Sequence, residues 1–312
     1  MIGAALFSCV GCASQDDGKL KIVVTIFPEY DWVMQVLGER AEEVNVTLLL
    51  DSGSDLHSYD PSPADLVAVA KADLFLYVGG ESDDWVDDAL KNKINKDMRV
   101  VNLLDELGSR ARLEEIKEGM EHDEEEESDE EDLEYDEHVW LSLKNAEFYV
   151  NLIADELCAL DGEHAEVYRT NAAAYVASLT ALDLRYEQTV AASPRKTLLF
   201  GDRFPFLYMI KDYGLDYYAA FVGCSAETNA SFETMKFLID KANEEDVKVI
   251  LKLENSSATI AEGIKSGSTK KNQQIKVLDS LQSATKKEYA AGRTYLNVMT
   301  SNLDVLASAL AA

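Results

Sequence analysis

Two series of short apolar runs alternating with helical patterns, divided by one unbroken helical pattern, constrain this chain more than any other feature. The first series opens at Leu20–Phe27, a β-branched run ended by Pro28, and continues with strands at Val44–Leu50, Asp73–Val78 and Arg99–Leu103. Helical patterns lie between them: Tyr30, Val33, Met34 and Leu37 share one face, and Trp85–Ile94 forms another helix. Ser62-Pro63-Ala64-Asp65 supplies an N-cap, a first-turn proline and an acid at the capping-box position, so a helix runs from there to about Ala72. The second series places strands at Thr197–Gly201, Asp216–Val222, Val247–Leu253 and Ile275–Asp279. Its helices are Phe204–Tyr213, closed by Gly214, then Phe232–Asn243, Ala258–Lys265 and Thr294–Leu310. Such alternation predicts mainly parallel sheets covered on both faces. Between the series, Ser142 caps a helix through about Leu160. A second helix, Glu163–Ala192, keeps Ala172, Tyr175, Val176, Leu179, Leu182, Tyr186 and Val190 on one face. About 30 residues at 1.5 Å rise make a rod of roughly 45 Å. The expectation is an α/β protein of two βα lobes with mainly parallel sheets, joined by one long rigid helix. The corresponding boundaries are a leader and tether at 1–18, an N-terminal lobe at 19–161, a linking helix at 162–192 and a C-terminal lobe at 193–312.

Charge narrows the partners. The chain carries 29 Lys and Arg against 58 Asp and Glu, a net charge of −29. Phosphate backbones and anionic membrane surfaces require clustered bases, so nucleic acid and polybasic lipid binding are excluded. A cation is the natural partner. Glu121–Glu137 alone holds thirteen acids and no Lys or Arg, which is −13 of the −29 and leaves −16 for the rest. A block of that composition repels itself and buries little, so an acidic loop over 119–137 is expected to be solvated and separate from any specific site.

The start of the chain, MIGAALFSCVGCAS, is apolar, small and too short to span a bilayer. It reads as the end of a secretory leader with a lipobox, Cys12 being the lipidated residue, although no Lys or Arg precedes Lys19. That predicts anchoring by an N-terminal lipid on the extracytoplasmic face. Cys158 and Cys224 are read as two separate thiols, with pairing as the alternative.

No glycine-rich phosphate loop, Gly-x-Ser-x-Gly elbow or His-Glu-x-x-His helix is present. Four histidines remain, and two of them, His57 and His138, stand at the transition from strand to helix, where open α/β folds collect ligands. Imidazoles offered from rigid loop ends suit a transition metal. His164 reads as a solvent-facing residue and His122 as a loose cation contact in the acidic loop. Trp32, Trp85 and Trp140 read as packing, with Trp140 supporting the loop that carries His138.

The contexts of the two histidines carry a resemblance. His57-Ser58-Tyr59-Asp60-Pro61-Ser62-Pro63-Ala64-Asp65 and Asp136-Glu137-His138-Val139-Trp140-Leu141 resemble the first and second ligand segments of the metal-binding receptors of ABC importers. These are the zinc/manganese-type solute-binding proteins, usually lipoproteins. Asp279-Ser280-Leu281, followed by Tyr295-Leu296-Asn297-Val298-Met299 and Asn302-Leu303, resembles the C-terminal segment, whose Asp is a ligand. The likeness runs from about Lys19 to Leu310. It implies two lobes with the metal between them, His57, His138 and Asp279 as ligands, and a monomer that is no enzyme. Such a receptor delivers Zn²⁺, or next Mn²⁺, to a membrane permease. A charged loop before the second ligand is also common in the family.

One departure stands out. The third-ligand position of the family, a His or Glu, falls on Arg203 in Gly201-Asp202-Arg203-Phe204, and an arginine cannot ligate a cation. The missing donor is expected from Asp202 turned inward, from Glu227 or Glu254, or from a water, with Cys224 ranked last. Arg203 is expected to brace a ligand carboxylate. Two other readings are a metal-dependent hydrolase using His57, His138 and Asp279 with Glu254 or Glu227 as base, and a surface adhesin or cation-binding protein acting through the acidic block.

Overall fold

The structure, a computed structural model, describes residues 18–121, 134–225 and 229–311. Cys12, His122, Glu227 and the centre of the acidic block lie outside those residues. In the N-terminal half, β1 (Leu20–Val24), β2 (Val44–Leu48), β3 (Leu74–Tyr77) and β4 (Arg99–Asn102) form one sheet in the order β2-β1-β3-β4, parallel throughout. Parallel strands buried on both faces become continuous apolar runs, which is why Ile22, Val24, Leu74, Phe75 and Leu76 are fully buried. Their covering helices are α1 (Phe27–Leu37), α2 (Pro63–Ala70), α3 (Trp85–Lys91) and the short α4 (Leu103–Leu107). Pro28 does not only end β1. It sits in the first turn of α1, where a missing N–H costs nothing, and the helix therefore begins at Phe27.

Two long helices follow, α5 (Leu143–Leu160) and α6 (Ala165–Ala192). The 28 residues of α6 make a rod of about 42 Å. Its buried stripe is Tyr168, Ala172, Tyr175, Leu179, Leu182, Tyr186 and Val190. The stripe is aromatic for a reason. Tyr175 Oη donates to Asp31 on α1 at 2.8 Å, and Tyr186 Oη donates to the carbonyl of Met299 at 2.6 Å, so one helix is pinned to both halves of the chain.

In the C-terminal half, β5 (Thr197–Leu199) pairs with β7 (Asp216–Tyr218), and β9 (Val249–Lys252) pairs with β10 (Gln274–Val277). A parallel bridge between Phe200 and Leu251 joins the two pairs. The expected strand Asp216–Val222 is broken at Ala219-Ala220, and its end, β8 (Phe221–Val222), pairs with β6 (Arg203–Phe204). Phe204 is thus a strand residue and not a helix start. The residue before a proline is biased to extended backbone, and Pro205 delays α7 to Leu207–Tyr213. The helices α8 (Phe232–Glu244), α9 (Thr259–Gly267), α10 (Lys286–Ala290) and α11 (Tyr295–Ala309) complete this half. One apolar core runs through both halves: Trp32 stacks on Tyr149 at 5.6 Å and meets Tyr295 edge-on at 5.2 Å. Among the described residues no helix is long and apolar enough to cross a membrane.

The N-terminal core also holds a carboxyl group. Glu29 is fully buried, and one oxygen accepts from Thr25 N at 2.8 Å and Ile26 N at 3.2 Å, while the other has no hydrogen-bond partner. Burial, with a smaller push from Asp83, raises it from the usual 4.5 to about 8. The folded protein therefore holds a proton there that the unfolded chain releases between pH 4.5 and 8. Stability falls as pH rises through that window, by at most ~1.4 kcal/mol per pH unit from this one group. Glu29→Gln copies the protonated form. Its urea midpoint is expected to fall less than the parent's between pH 5 and 8, and parallel pH profiles would exclude the buried carboxyl as the cause.

Candidate metal centre

The parallel strands deliver their loops to one place. Just beyond their C-terminal ends lie Asp55 and His57 after β2, Gly80 and Ser82 after β3, Gly223 and Cys224 after β8, and Glu254 and Gln282 after β9 and β10. Crevices at the carboxyl ends of strands are where open α/β sheets place ligands. Here the loops line a cleft of about 610 Å³ whose walls include Asp55, His57, Arg203, Phe221, Glu254 and Gln282.

His57, on the cleft wall, meets His138, with their Nε2 atoms 3.1 Å apart and ring centroids at 5.1 Å. Each ring is fixed from behind. His138 is fully buried, and Asp136 takes both its backbone N–H at 2.7 Å and its Nδ1 at 3.0 Å. His57 Nδ1 meets Ser82 Oγ at 2.9 Å and Glu137 at 3.5 Å, while Asp55 accepts its backbone N–H at 3.1 Å. An acceptor on Nδ1 leaves Nε2 as the lone-pair nitrogen, the arrangement metal-ligating histidines use. Glu137 is itself held by Ser82 N at 2.9 Å, and Gly80 makes room for it: a Cβ there would lie 2.3 Å from the carboxylate.

A third candidate donor is Cys224. One atom each from His57, His138 and Cys224 lies within 4.8 Å of the others, the sole group of this kind among the described residues. Gly223 makes the approach possible, since a Cβ there would be 3.0 Å from His138 Cε1. Glu114 accepts the Cys224 backbone N–H at 3.2 Å. Burial, then the negative charge of Glu114, Glu137 and Asp136, pushes the Cys224 thiol strongly up. Burial and the neighbouring imidazole push His57 down to about 3. Burial works against charge on His138 as well, but Asp136, Glu137 and Glu114 together outweigh it and raise the ring. Buried carboxylates around two imidazoles and a thiol favour a cation that can take the protons' place.

Of the carboxylates expected as ligands, Asp279, Asp202 and Glu254 do not join this group. Asp279 is gripped by Arg293 Nη2 at 2.8 and 3.0 Å and accepts Leu281 N at 2.9 Å, so it is a turn-forming residue. Asp202 is turned inward, but to Leu253 N at 2.9 Å, Arg203 N at 2.9 Å and Ser256 Oγ. Glu254 accepts Ser280 N at 2.8 Å and Ser280 Oγ at 2.9 Å. Arg203 pairs with Asp55 at 2.6 Å and donates to the carbonyl of Ser225 at 3.2 Å. It braces the backbone of the His57 and Cys224 loops instead of a ligand carboxylate. Cys158 and Cys224 are separate thiols. The acidic block is also not one loop: Asp136 and Glu137 are the buried carboxylates behind the two histidines, and Glu121 N bonds Ala220 O at 2.8 Å. The missed cue to Cys224 was the arginine at the third-ligand position, which demanded a donor from a neighbouring loop.

The chain is similar to known proteins along nearly its whole length. A family model described as ZnuA, zinc-uptake complex component A, periplasmic, matches residues 22–309. The zinc-binding lipoprotein AdcA of Streptococcus pneumoniae is 33% identical over 304 residues, 97% of this chain, and the chain spans 58% of that relative's length. The high-affinity zinc uptake system protein ZnuA of Bacillus subtilis is 30% identical over 306 residues, with 97% of this chain and 91% of the relative covered. The Zn(II)-bound ZnuA-like domain of S. pneumoniae AdcA superposes with a TM-score of 0.73 at 28% identity, covering 95% of this chain and all of that one.

Proposed function

The chain belongs to the zinc-uptake complex component A family, and on that footing we propose that it captures one zinc ion between its lobes and hands it to the permease of an ABC importer. The observation that carries the reading is the convergence of His57, His138 and Cys224 at a buried point, each imidazole backed by a carboxylate. Two imidazoles and a thiolate suit zinc, whereas manganese favours oxygen donors. The names of the relatives, a zinc-binding lipoprotein and a zinc uptake protein, support the same cargo. They also support an extracytoplasmic receptor; anchoring through Cys12 and action as a monomer belong to the same proposal. Residues 19–161 and 193–312 act as the two jaws, with 162–192 as a stiff connector that limits closure. Of the two bases the hydrolase reading draws on, Glu254 is committed to Ser280, and Glu227 lies outside the described residues.

Zinc titration of the metal-free protein against a chromophoric chelator tests this. One zinc per chain is expected. Asp136→Asn, which weakens the support of His138, is expected to bind one zinc with ~10–100-fold lower affinity. Failure to take up zinc, or an Asp136→Asn affinity equal to the parent's, would contradict the proposal.

A further inference from the structure

The cleft is far larger than an ion requires. One or two waters beside a metal take on the order of 30–60 Å³. The cleft holds about 610 Å³, which lies in the range of pockets that take small organic molecules. Two kinds of wall face that space: Ser58 and Ser283 line it with hydroxyls, and Phe221 and Ile260 give it an apolar side. Neither kind contributes a donor to the cluster of His57, His138 and Cys224.

Arg203 also lines the cleft, and its partners stand beside the metal donors. Asp55 precedes His57 by two residues, and Ser225 directly follows Cys224. Nη2 donates to Asp55 at 2.6 Å and Nη1 to the Ser225 carbonyl at 3.2 Å, so the plane of the guanidinium is fixed. A guanidinium has five N–H groups, and these contacts use two of them. The side chain is 19% exposed, so the other donors can meet a guest. A planar, permanently charged fork matches a carboxylate better than any other side chain does. Arg203 cannot ligate zinc, but it can hold an anion that arrives with zinc.

Charge decides which anion. Asp55, Asp202 and Glu254 share the cleft wall, in a chain of net charge −29, so a guest with several carboxylates is repelled. One carboxylate on a divalent ion leaves the pair cationic. Two imidazoles and a thiolate also leave a tetrahedral ion one position for the guest. An α-amino acid meets both conditions, with one carboxylate, one nitrogen donor suited to zinc, and a side chain to occupy the remaining space.

We propose that the cleft takes its zinc as a complex with an α-amino acid: Arg203 grips the carboxylate, the amino nitrogen completes the shell of the metal, and the side chain lies along Phe221 and Ile260. The proposal rests on the zinc reading above and names what arrives with the ion.

Equilibrium dialysis with labelled L-histidine, histamine and citrate tests it, with zinc counted in the same chamber. Histamine is histidine without its carboxylate. The zinc-loaded parent is expected to retain one histidine per chain and to hold histamine at least ~10-fold more weakly, the worth of one charge-assisted hydrogen bond. Metal-free protein is expected to retain neither. Arg203→Gln is expected to weaken histidine about tenfold and to erase its advantage over histamine. The comparison of histidine with histamine uses the parent alone, so it stands whether or not the variant folds. Equal retention of histidine and histamine by the parent, no histidine on a chain that keeps its zinc, or citrate held as tightly as histidine would overturn the proposal. A chain that takes up no zinc in the absence of any amino acid fails the zinc reading itself, whereas one zinc without histidine condemns the amino-acid complex alone.

Discussion

Cys224→Ser is expected to lower zinc affinity by more than ~100-fold, beyond what loss of a supporting residue costs, while leaving the metal-free fold as stable as the parent. The serine oxygen fills nearly the same space but does not ionise at the pH where a zinc-bound thiol does. On the zinc reading the sulfur supplies the anionic donor, since no other group among the described residues brings a negatively charged ligand atom into the cluster. The variant also changes the pH profile. Burial and the carboxylates of Glu114, Glu137 and Asp136 keep the thiol protonated without metal. Zinc must displace that proton, so parent affinity rises as pH rises. The serine variant loses one proton from that slope. Competition titrations at several pH values check both statements, and a variant with parental affinity and slope would remove Cys224 from the site.

Trp140→Ala is expected to destabilise the protein by about 3–5 kcal/mol, the range for emptying a buried aromatic. Trp140 is fully buried, its indole N–H reaches Ser280 O at 2.8 Å, its carbonyl accepts from Tyr295 Oη at 2.7 Å, and its ring packs 5.2 Å from that of His138. It ties the second histidine loop to the Gln282 loop across the two halves, so its loss is felt by the core and by the metal together. Urea unfolding of metal-free protein reads the first effect. Trp140→Phe keeps most of the packing and isolates the hydrogen bond, at about 1 kcal/mol. A Trp140→Ala midpoint matching the parent's would mean the two halves are held together elsewhere.

The alternation of strands and helices was legible because strands buried on both faces must be apolar throughout and their covering helices must not be. The long linking helix showed itself by spacing alone. What local pattern could not show was tertiary: the break at Ala219-Ala220, and the extended Phe204 that Pro205 enforces. The short helix α10 did carry a signal, since Thr285 and Glu288 form a capping box at its start. In the site, His57 and His138 stood out by residue type and by position at strand ends. Asp279 stood out through resemblance, yet Arg293 takes its carboxylate. Cys224 looked like any solitary buried thiol, because only the fold brings its loop against His138. Gln282, 2.7 Å from His138 Nε2, carries neither charge nor motif. Composition misled in a specific way: it joined Asp136 and Glu137 to a run of solvated acids, when their burial makes them part of the site.

The most direct test is zinc K-edge X-ray absorption on protein loaded with one equivalent of zinc. His57, His138 and Cys224 predict a first shell with one sulfur at about 2.3 Å, two imidazole nitrogens at about 2.0–2.1 Å with their outer-ring scattering, and one further light atom. A shell without sulfur, made of nitrogen and oxygen alone, would contradict the account.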